Sequence, residues 1–264
     1  MNRYLRVYAH ILSFAFKNFF AYRTNMLIRS LYFPTWQIAL YGIVSVIYQH
    51  TPVLGGWNRE EGILLYFCCQ LFMGFTYLTF FEGGARYFMD KLVRFGELDF
   101  ILMRPLNPQF LSMFSRPEFG PFLSMFCLIG LMLNFLSNST LMIPTANWLL
   151  FGVSLLASYL VVYFVVASYA TLSFYSAQSR QMIEILDKAT EYAQYPMDVF
   201  VQPARLFLLT ILPIFFFGNI SASVLLGKAE PSVLILFAVM LPVSFVINQL
   251  AWSHGLKRYS SASS

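Results

Sequence analysis

The chain has 264 residues, of which 58% are hydrophobic and 11% are charged, and its mean hydropathy is +0.64. Soluble domains are about half apolar and about a quarter charged, so the composition excludes an ordinary soluble enzyme and indicates an integral membrane protein. The net charge of +5 is typical of basic cytoplasmic loops in such proteins, and we expect no nucleic-acid partner.

An amphipathic helix is predicted over residues 1–24. It carries one basic stripe at helical spacings of three and four, formed by Arg3, Arg6, His10, Ser13 and Lys17. The stripe is too charged to cross a bilayer, and the remaining faces are apolar. We therefore expect an interfacial elbow helix with its cations toward the lipid headgroups; a cytosolic extension of the first span is the alternative.

Long gaps between charged residues predict the membrane helices, each of which needs roughly 20 mostly apolar residues. Within residues 25–256 there are six predicted spans, near 28–48, 62–84, 119–137, 146–172, 206–227 and 231–253. The fifth is the least regular, because Pro213 and Gly218 interrupt it. The pattern predicts an all-α membrane protein of six transmembrane helices with short external loops.

The distribution of basic residues predicts the orientation. Six spans place both termini on one side, together with the loop 86–118 and the tail 257–264. Nearly all Lys and Arg residues fall on that side, whereas the other side has only Arg59 and Lys228. Basic residues favour the cytoplasm, so we expect a multi-pass protein of the cell (inner) membrane with both termini cytoplasmic.

The loop 86–118 contains a concentration of charge that is unusual for this chain. Its segment VRFGELDFILMRPLNP (93–108) predicts one short helix with acidic residues near its positive end and a basic residue near its negative end. Gly96 would begin this helix and Pro105 would end it. The apolar run 100–103 predicts a docking surface; the alternative is that it packs on the protein's own helix ends.

Three segments carry a family resemblance. FGELDFILMRPLNP (95–108) resembles the FG-x-LD-x-x-L-x-RPL-x-P signature of one branch of the ABC-2 type permeases, the membrane subunits of ABC exporters. WSHGLKRYSSASS (252–264) is similar to the closing pattern of that branch, and YPMDVFVQP (195–203) to its Tyr-Pro segment before the fifth span. With the elbow helix and six spans, the resemblance covers essentially the whole chain.

The resemblance implies a mechanism and its partners. Two permeases, identical or related, would form a dimer on two ABC ATPase subunits, and the loop after the second span would be the coupling helix. The residues implied in coupling are Gly96, Glu97, Leu98, Asp99, Leu102, Arg104 and Pro105. The sequence contains no G-x-x-x-x-G-K-[ST] motif, so ATP and Mg would be bound by the partner ATPase. This chain is expected to bind no cofactor and to be a transporter subunit, not an enzyme, in the export of an amphipathic or hydrophobic substrate.

Glu82 and Arg86, in FFEGGARYF near the end of the second span, are a further candidate pair. Their i,i+4 spacing predicts a structural ion pair, although an ionisable group at membrane depth also suggests a gating or substrate role. Gly83 and Gly84 between them would allow another segment to approach closely. The cysteines have no metal-ligand spacing, and we expect no metal site.

Two other functions compete with a permease. A secondary transporter or channel would need no ATPase, but such carriers often have paired ionisable groups at mid-membrane and inverted repeats. A membrane enzyme acting on lipids would need carboxylates or histidines clustered at one level. Neither pattern is evident, since Glu82 falls near the end of a span and His10, His50 and His254 fall on different segments.

Overall fold

The computed structural model describes residues 2–176 and 180–259. Within these ranges the chain is almost entirely helical, with one antiparallel hairpin of two-residue strands, β1 (Val53–Leu54) and β2 (Trp57–Asn58). The α-helices are α1 (Asn2–Ala21), α2 (Arg23–His50), α3 (Arg59–Thr76), α4 (Leu98–Leu102), α5 (Pro108–Phe114), α6 (Phe122–Asn138), α7 (Thr145–Ala170), α8 (Arg180–Thr190), α9 (Gln202–Thr210), α10 (Asn219–Leu225) and α11 (Ser232–Arg258).

Among the described residues, four helices are long and apolar enough to cross a membrane, and α6 is a shorter apolar helix. They are Arg23–His50, Arg59–Val93, Thr145–Phe174 and Ser232–Arg258. Together with α6, these helices coincide with five of the six predicted spans. The chain is thus an all-α membrane protein, and the count of six spans stays a prediction.

The predicted span 206–227 is not one helix, and that prediction was wrong. After α9, Pro213 has non-helical torsion angles and a 3₁₀ turn follows (Ile214–Phe216); α10 begins only after Gly218, whose φ is +99°. Proline cannot donate the helical hydrogen bond and its ring clashes with the preceding turn, while a positive φ favours glycine. These two residues divide the segment into a helix, a turn and a second helix.

Residues that flank this divided segment on both sides lie beside the β1–β2 hairpin. A Cβ built on Gly55 would be 3.0 Å from a methyl carbon of Val199, and Lys228 Nζ donates to the Gly56 carbonyl at 2.8 Å. The chain therefore enters and leaves this region at the same end of the molecule. We call this end, which holds residues 53–58, the hairpin end.

The opposite end, which holds residues 86–118, is called the loop end. It includes α1, which is separated from α2 by a break at Tyr22 (φ −96°, ψ 75°). Aromatic edges join α1 to α5: the Tyr4 ring lies 5.2 Å from Phe110 and the Tyr8 ring 5.8 Å from Phe114. The predicted basic stripe of α1 is exposed, at Arg3, Arg6, His10, Ser13 and Lys17; its position in the membrane interface remains a prediction.

The second span joins the two ends. It begins at the hairpin end with a capping box, in which Asn58 and Glu61 exchange hydrogen bonds of 3.0 and 2.7 Å, and this satisfies free N–H groups at the start of α3. From Tyr77 to Val93 it continues mainly as π-helix. There a Cβ on Gly83 would lie 1.6 Å from the Arg116 carbonyl oxygen. The end of the loop 86–118 therefore packs directly on the backbone of the second span.

The core lies where α3 and its continuation meet α7 and α10. Its largest fully buried side chains include Tyr66, Phe80, Phe81, Phe88, Phe215, Phe216 and Phe217. Polar groups inside this core bond between helices, as when Asn219 donates to the carbonyl oxygens of Ala193 and Tyr195, both at 2.7 Å. These bonds give the buried amide nitrogen of Asn219 two acceptors.

Candidate coupling surface and charged cavity

The predicted coupling segment forms one short helix, α4, near the predicted boundaries. Gly96 precedes it with a φ of +73°, a conformation that favours glycine, and Asp99 lies in its first turn. The helix ends before Met103, ahead of Arg104 and Pro105. The backbone conformations that Gly96 and Pro105 adopt thus limit the length of the helix.

The two faces of α4 have different surroundings. Leu98 is fully buried and Ile101 nearly so, whereas Phe100 and Met103 are 64% and 73% exposed. Phe95, just before the helix, is 57% exposed as well. Phe95, Phe100 and Met103 form a surface that we call the apolar knob.

Neighbouring side chains hold α4 in place. Tyr87 donates its hydroxyl to Glu97 at 2.6 Å, and Arg116 lies over the Tyr87 ring, 3.7 Å from its centroid. Burial and the nearby Asp99 carboxylate raise the pKa of the Tyr259 hydroxyl, near the end of α11, to about 12. The predicted coupling segment and the predicted closing motif are therefore neighbours.

An aromatic cluster extends this contact into the spans. The Tyr259 ring lies 5.9 Å from Phe174, which in turn lies 5.8 Å from Trp252, and Phe88 contacts both of these rings. Aromatic edges at such distances add to the stabilisation that comes from area burial alone. The last residues of the predicted closing motif, 260–264, lie outside the described residues.

The residues predicted for coupling occupy one segment but differ in exposure. Leu98 is buried, Gly96, Glu97, Asp99 and Leu102 are half-buried, and Arg104 and Pro105 are exposed. The predicted apolar run 100–103 divides by face, because Ile101 packs inward. Phe95 was not among the predicted residues. Only the structure identifies it as part of this surface, by its position beside the exposed face of α4.

The predicted pair Glu82 and Arg86 belongs to a larger charged cluster. Arg86 donates to Glu82 at 2.6 Å and also bonds Asp187 of α8, to which the Tyr77 hydroxyl donates too. The side chains of Arg86 and Asp187 are about one-fifth exposed, at 21% and 20%. These four residues, Tyr77, Glu82, Arg86 and Asp187, are called the charged cluster.

Asp187 is the member that sequence reasoning missed. It lies outside the four long apolar helices, in a segment for which the sequence predicted no candidate site. The adjacent Lys188 lies 3.8 Å from Glu191. Burial outweighs the attraction of the Lys188 ammonium and raises the pKa of the Asp187 carboxyl to about 6. The carboxyl is mostly ionised at neutral pH, at a cost in desolvation that Arg86 offsets.

Comparison with known proteins decides the class. The sequence model of the ABC-2 family transporter proteins matches residues 35–263, which includes the loop 86–118, the Tyr-Pro segment and most of the tail. The chain belongs to this family. Comparisons with curated proteins and with solved structures give no match. Membership in this family implies a transmembrane permease subunit that partners with an ABC ATPase.

In this permease the charged cluster borders a cavity of about 400 Å³, the polar cavity. A second ion pair closes one side of it, where Arg29 of α2 lies 2.6 Å from Glu118 before α6. Aromatic side chains of α2 and Gln37 and Gln70 complete the wall. The lining combines rings with charged groups from α2, from the π-helical continuation of α3, from α8 and from the residues that precede α6 and follow α8.

Proposed function

We propose that the chain is the membrane-spanning subunit of an ATP-driven ABC-2 type exporter. A separate ATPase hydrolyses ATP, and its movement drives export of an amphipathic or hydrophobic substrate. The apolar knob is the observation that carries the proposal. It is an exposed apolar surface at the loop end, on the face of α4 opposite the buried Leu98 and Ile101, and such a surface is typical of an interaction site.

The shape and charge of the knob suit a partner with a mixed apolar and acidic cleft. Lys91 Nζ lies 4.7 Å from the Phe95 ring centroid, and the Arg94 guanidinium lies 5.7 Å from it. The buried face of α4, with Leu98, is fixed on the permease. A push on the exposed face is therefore transmitted to the second span and, through Tyr259, to α11.

The orientation follows from the same surface. If the knob binds an ATPase, the loop end faces the cytoplasm of the cell (inner) membrane and both termini lie there. A second permease, identical or related, completes the transport unit. ATP and Mg belong to the ATPase subunits, and the permease itself binds no cofactor.

Co-purification tests the proposal. A tagged chain is isolated from its native membrane, and co-purifying P-loop ATPase is quantified by mass spectrometry. We expect Phe100→Ser combined with Met103→Ser to reduce the co-purified ATPase at least about ten-fold, as loss of two exposed anchors at an interface would. Met142→Ser is the matched control, because Met142 is 97% exposed but belongs to the turn between α6 and α7.

Two results would count against the proposal. One is an undiminished amount of ATPase with the double variant. The other is ATP-independent transport by the purified chain in liposomes, which would favour a secondary transporter or channel.

A further inference from the structure

The polar cavity has an aromatic wall. Tyr32, Phe33 and Trp36 of α2 line one side and Tyr77 lines another. Tyr32 and Trp36 are 62% and 42% exposed, so these rings are accessible to a molecule that enters the cavity. Aromatic faces of this kind attract organic cations and apolar bodies alike.

The charges around the cavity do not balance. Among the described residues that line it are four carboxylates (Glu82, Glu118, Asp187 and Glu191) and three cations (Arg29, Arg86 and Lys188). Arg29 pairs with Glu118, and Arg86 is shared between Glu82 and Asp187. One negative charge in excess therefore remains when all groups are ionised.

The remaining cation neutralises this excess poorly. Lys188 is 78% exposed and lies 3.8 Å from Glu191, so it is a rim group that water screens. The carboxylates are better covered: the side chains of Asp187 and Glu191 are 20% and 35% exposed. A second, more open cavity of about 950 Å³ along α8 shares Arg86, Asp187, Lys188 and Glu191, and it adds Glu184.

A surplus of carboxylate beside accessible rings selects a cation over an anion. An anionic group would meet more carboxylates than cations among the described lining residues, and juxtaposed like charges disfavour binding. A cationic group would gain both the charge and the ring faces. We propose that the polar cavity binds the positively charged group of the transported substrate, an organic cation with an apolar or aromatic body.

This inference rests on the proposed function, since it names the substrate class of that exporter. The test uses tetraphenylphosphonium and tetraphenylborate, two ions that match in shape and differ in sign. Binding of each radiolabelled ion is measured to the full chain in nanodiscs of zwitterionic lipid, after subtraction of binding to empty nanodiscs. We expect tetraphenylphosphonium to bind more tightly than tetraphenylborate.

Two variants on α8 and its extension test the charge argument in opposite directions. Glu191→Gln is expected to weaken tetraphenylphosphonium binding about five-fold, and Lys188→Gln to strengthen it by a similar factor, as the loss of one nearby charge would. Glu60→Gln removes a carboxylate at the hairpin end, where Glu60 accepts from Thr140, and is expected to leave the affinity unchanged.

The aromatic wall has its own matched pair. Trp36→Leu is expected to lower the affinity for tetraphenylphosphonium about five-fold, within the range of a cation–π contact. Trp148→Leu, a similarly exposed tryptophan at 40% in α7, serves as the control. This pair decides the question independently if the charge variants fold poorly.

Tighter binding of tetraphenylborate would overturn the inference, as would insensitivity of phosphonium binding to Glu191→Gln, Lys188→Gln and Trp36→Leu. The assay needs no ATPase. A permease that retains its ATPase but shows no cation preference would refute only the substrate class. A cation preference without any co-purifying ATPase would refute the exporter instead.

Discussion

The hairpin end and the loop end of this permease differ in the bonding and exposure of their side chains. At the hairpin end, Lys228 binds both Glu61 at 2.6 Å and the Gly56 carbonyl, and it lies over the Trp57 ring. At the loop end, Glu97 accepts from Tyr87 and Asp99 lies beside Tyr259, while Phe100 and Met103 are exposed.

The difference lies in what the internal contacts of each end join. The hairpin end uses its few charges to join its own loops, so contacts there hold the turn before α11 against the start of α3. At the loop end, the internal contacts fix α4, and an apolar surface is exposed. We infer that the loop end needs a partner.

The largest expected effect on stability comes from a steric clash inside the loop end. In Gly83→Ala the added Cβ would lie 1.6 Å from the Arg116 carbonyl oxygen, and the backbone of the loop would have to move. We expect the free energy of unfolding to fall by at least about 3 kcal/mol, the upper part of what overpacking costs. Thermal unfolding in detergent measures this.

Gly152→Ala in α7 is the matched control, because nothing lies within 4 Å of a Cβ at that position. It should leave stability equal or slightly higher, since alanine is the better helix former. Equal melting temperatures for Gly83→Ala and the wild type would show that the loop does not pack on the span there.

The next largest effect on stability distinguishes the buried face of α4 from its exposed face. Leu98→Ala removes a fully buried side chain and should lower the free energy of unfolding by about 3 kcal/mol. Phe100→Ala, on the exposed face, should change it by less than about 0.5 kcal/mol while weakening ATPase association. Chemical denaturation and co-purification are measured on the same samples. Equal effects of Leu98→Ala and Phe100→Ala in both measurements would contradict the assignment of a buried and an exposed face.

Arg86→Met tests the charged cluster. It leaves Glu82 and Asp187 near each other without their shared cation, and loss of one partner from such a cluster costs about 2 kcal/mol after allowance for its partial exposure. Protonation of Asp187 relieves the repulsion, so the pKa of its carboxyl, already raised by burial to about 6, rises further in the variant. The deficit relative to the wild type should shrink as the pH falls from 8 to 5; a deficit independent of pH would mean that lost packing alone is responsible.

The smallest effect concerns the hairpin end. Lys228→Met removes the contacts with Glu61, Gly56 and Trp57, and because its side chain is 30% exposed we expect a loss of about 1 kcal/mol. Lys188→Met, at 78% exposure, should have little effect on stability. If the two lysines were equivalent in thermal unfolding, the hairpin end would not be closed by its own charges.

Local chemistry made parts of the candidate site predictable. Gly96 and Pro105 bound the short helix by their backbone restrictions, so its position could be predicted within two or three residues. The i,i+4 spacing gave the Glu82–Arg86 contact. Asp187 could not be predicted to join them, because a contact between residues about a hundred positions apart depends on how α8 packs against the second span.

The sequence by itself determined the membrane class and the positions of five apolar helices, because hydropathy acts on each segment separately. Only the tertiary structure decided the path of residues 206–227, the face on which Phe100 lies and the residues that share Arg86. Each of these depends on contacts between distant segments, and neither hydrophobic periodicity nor local propensity specifies which distant segments meet.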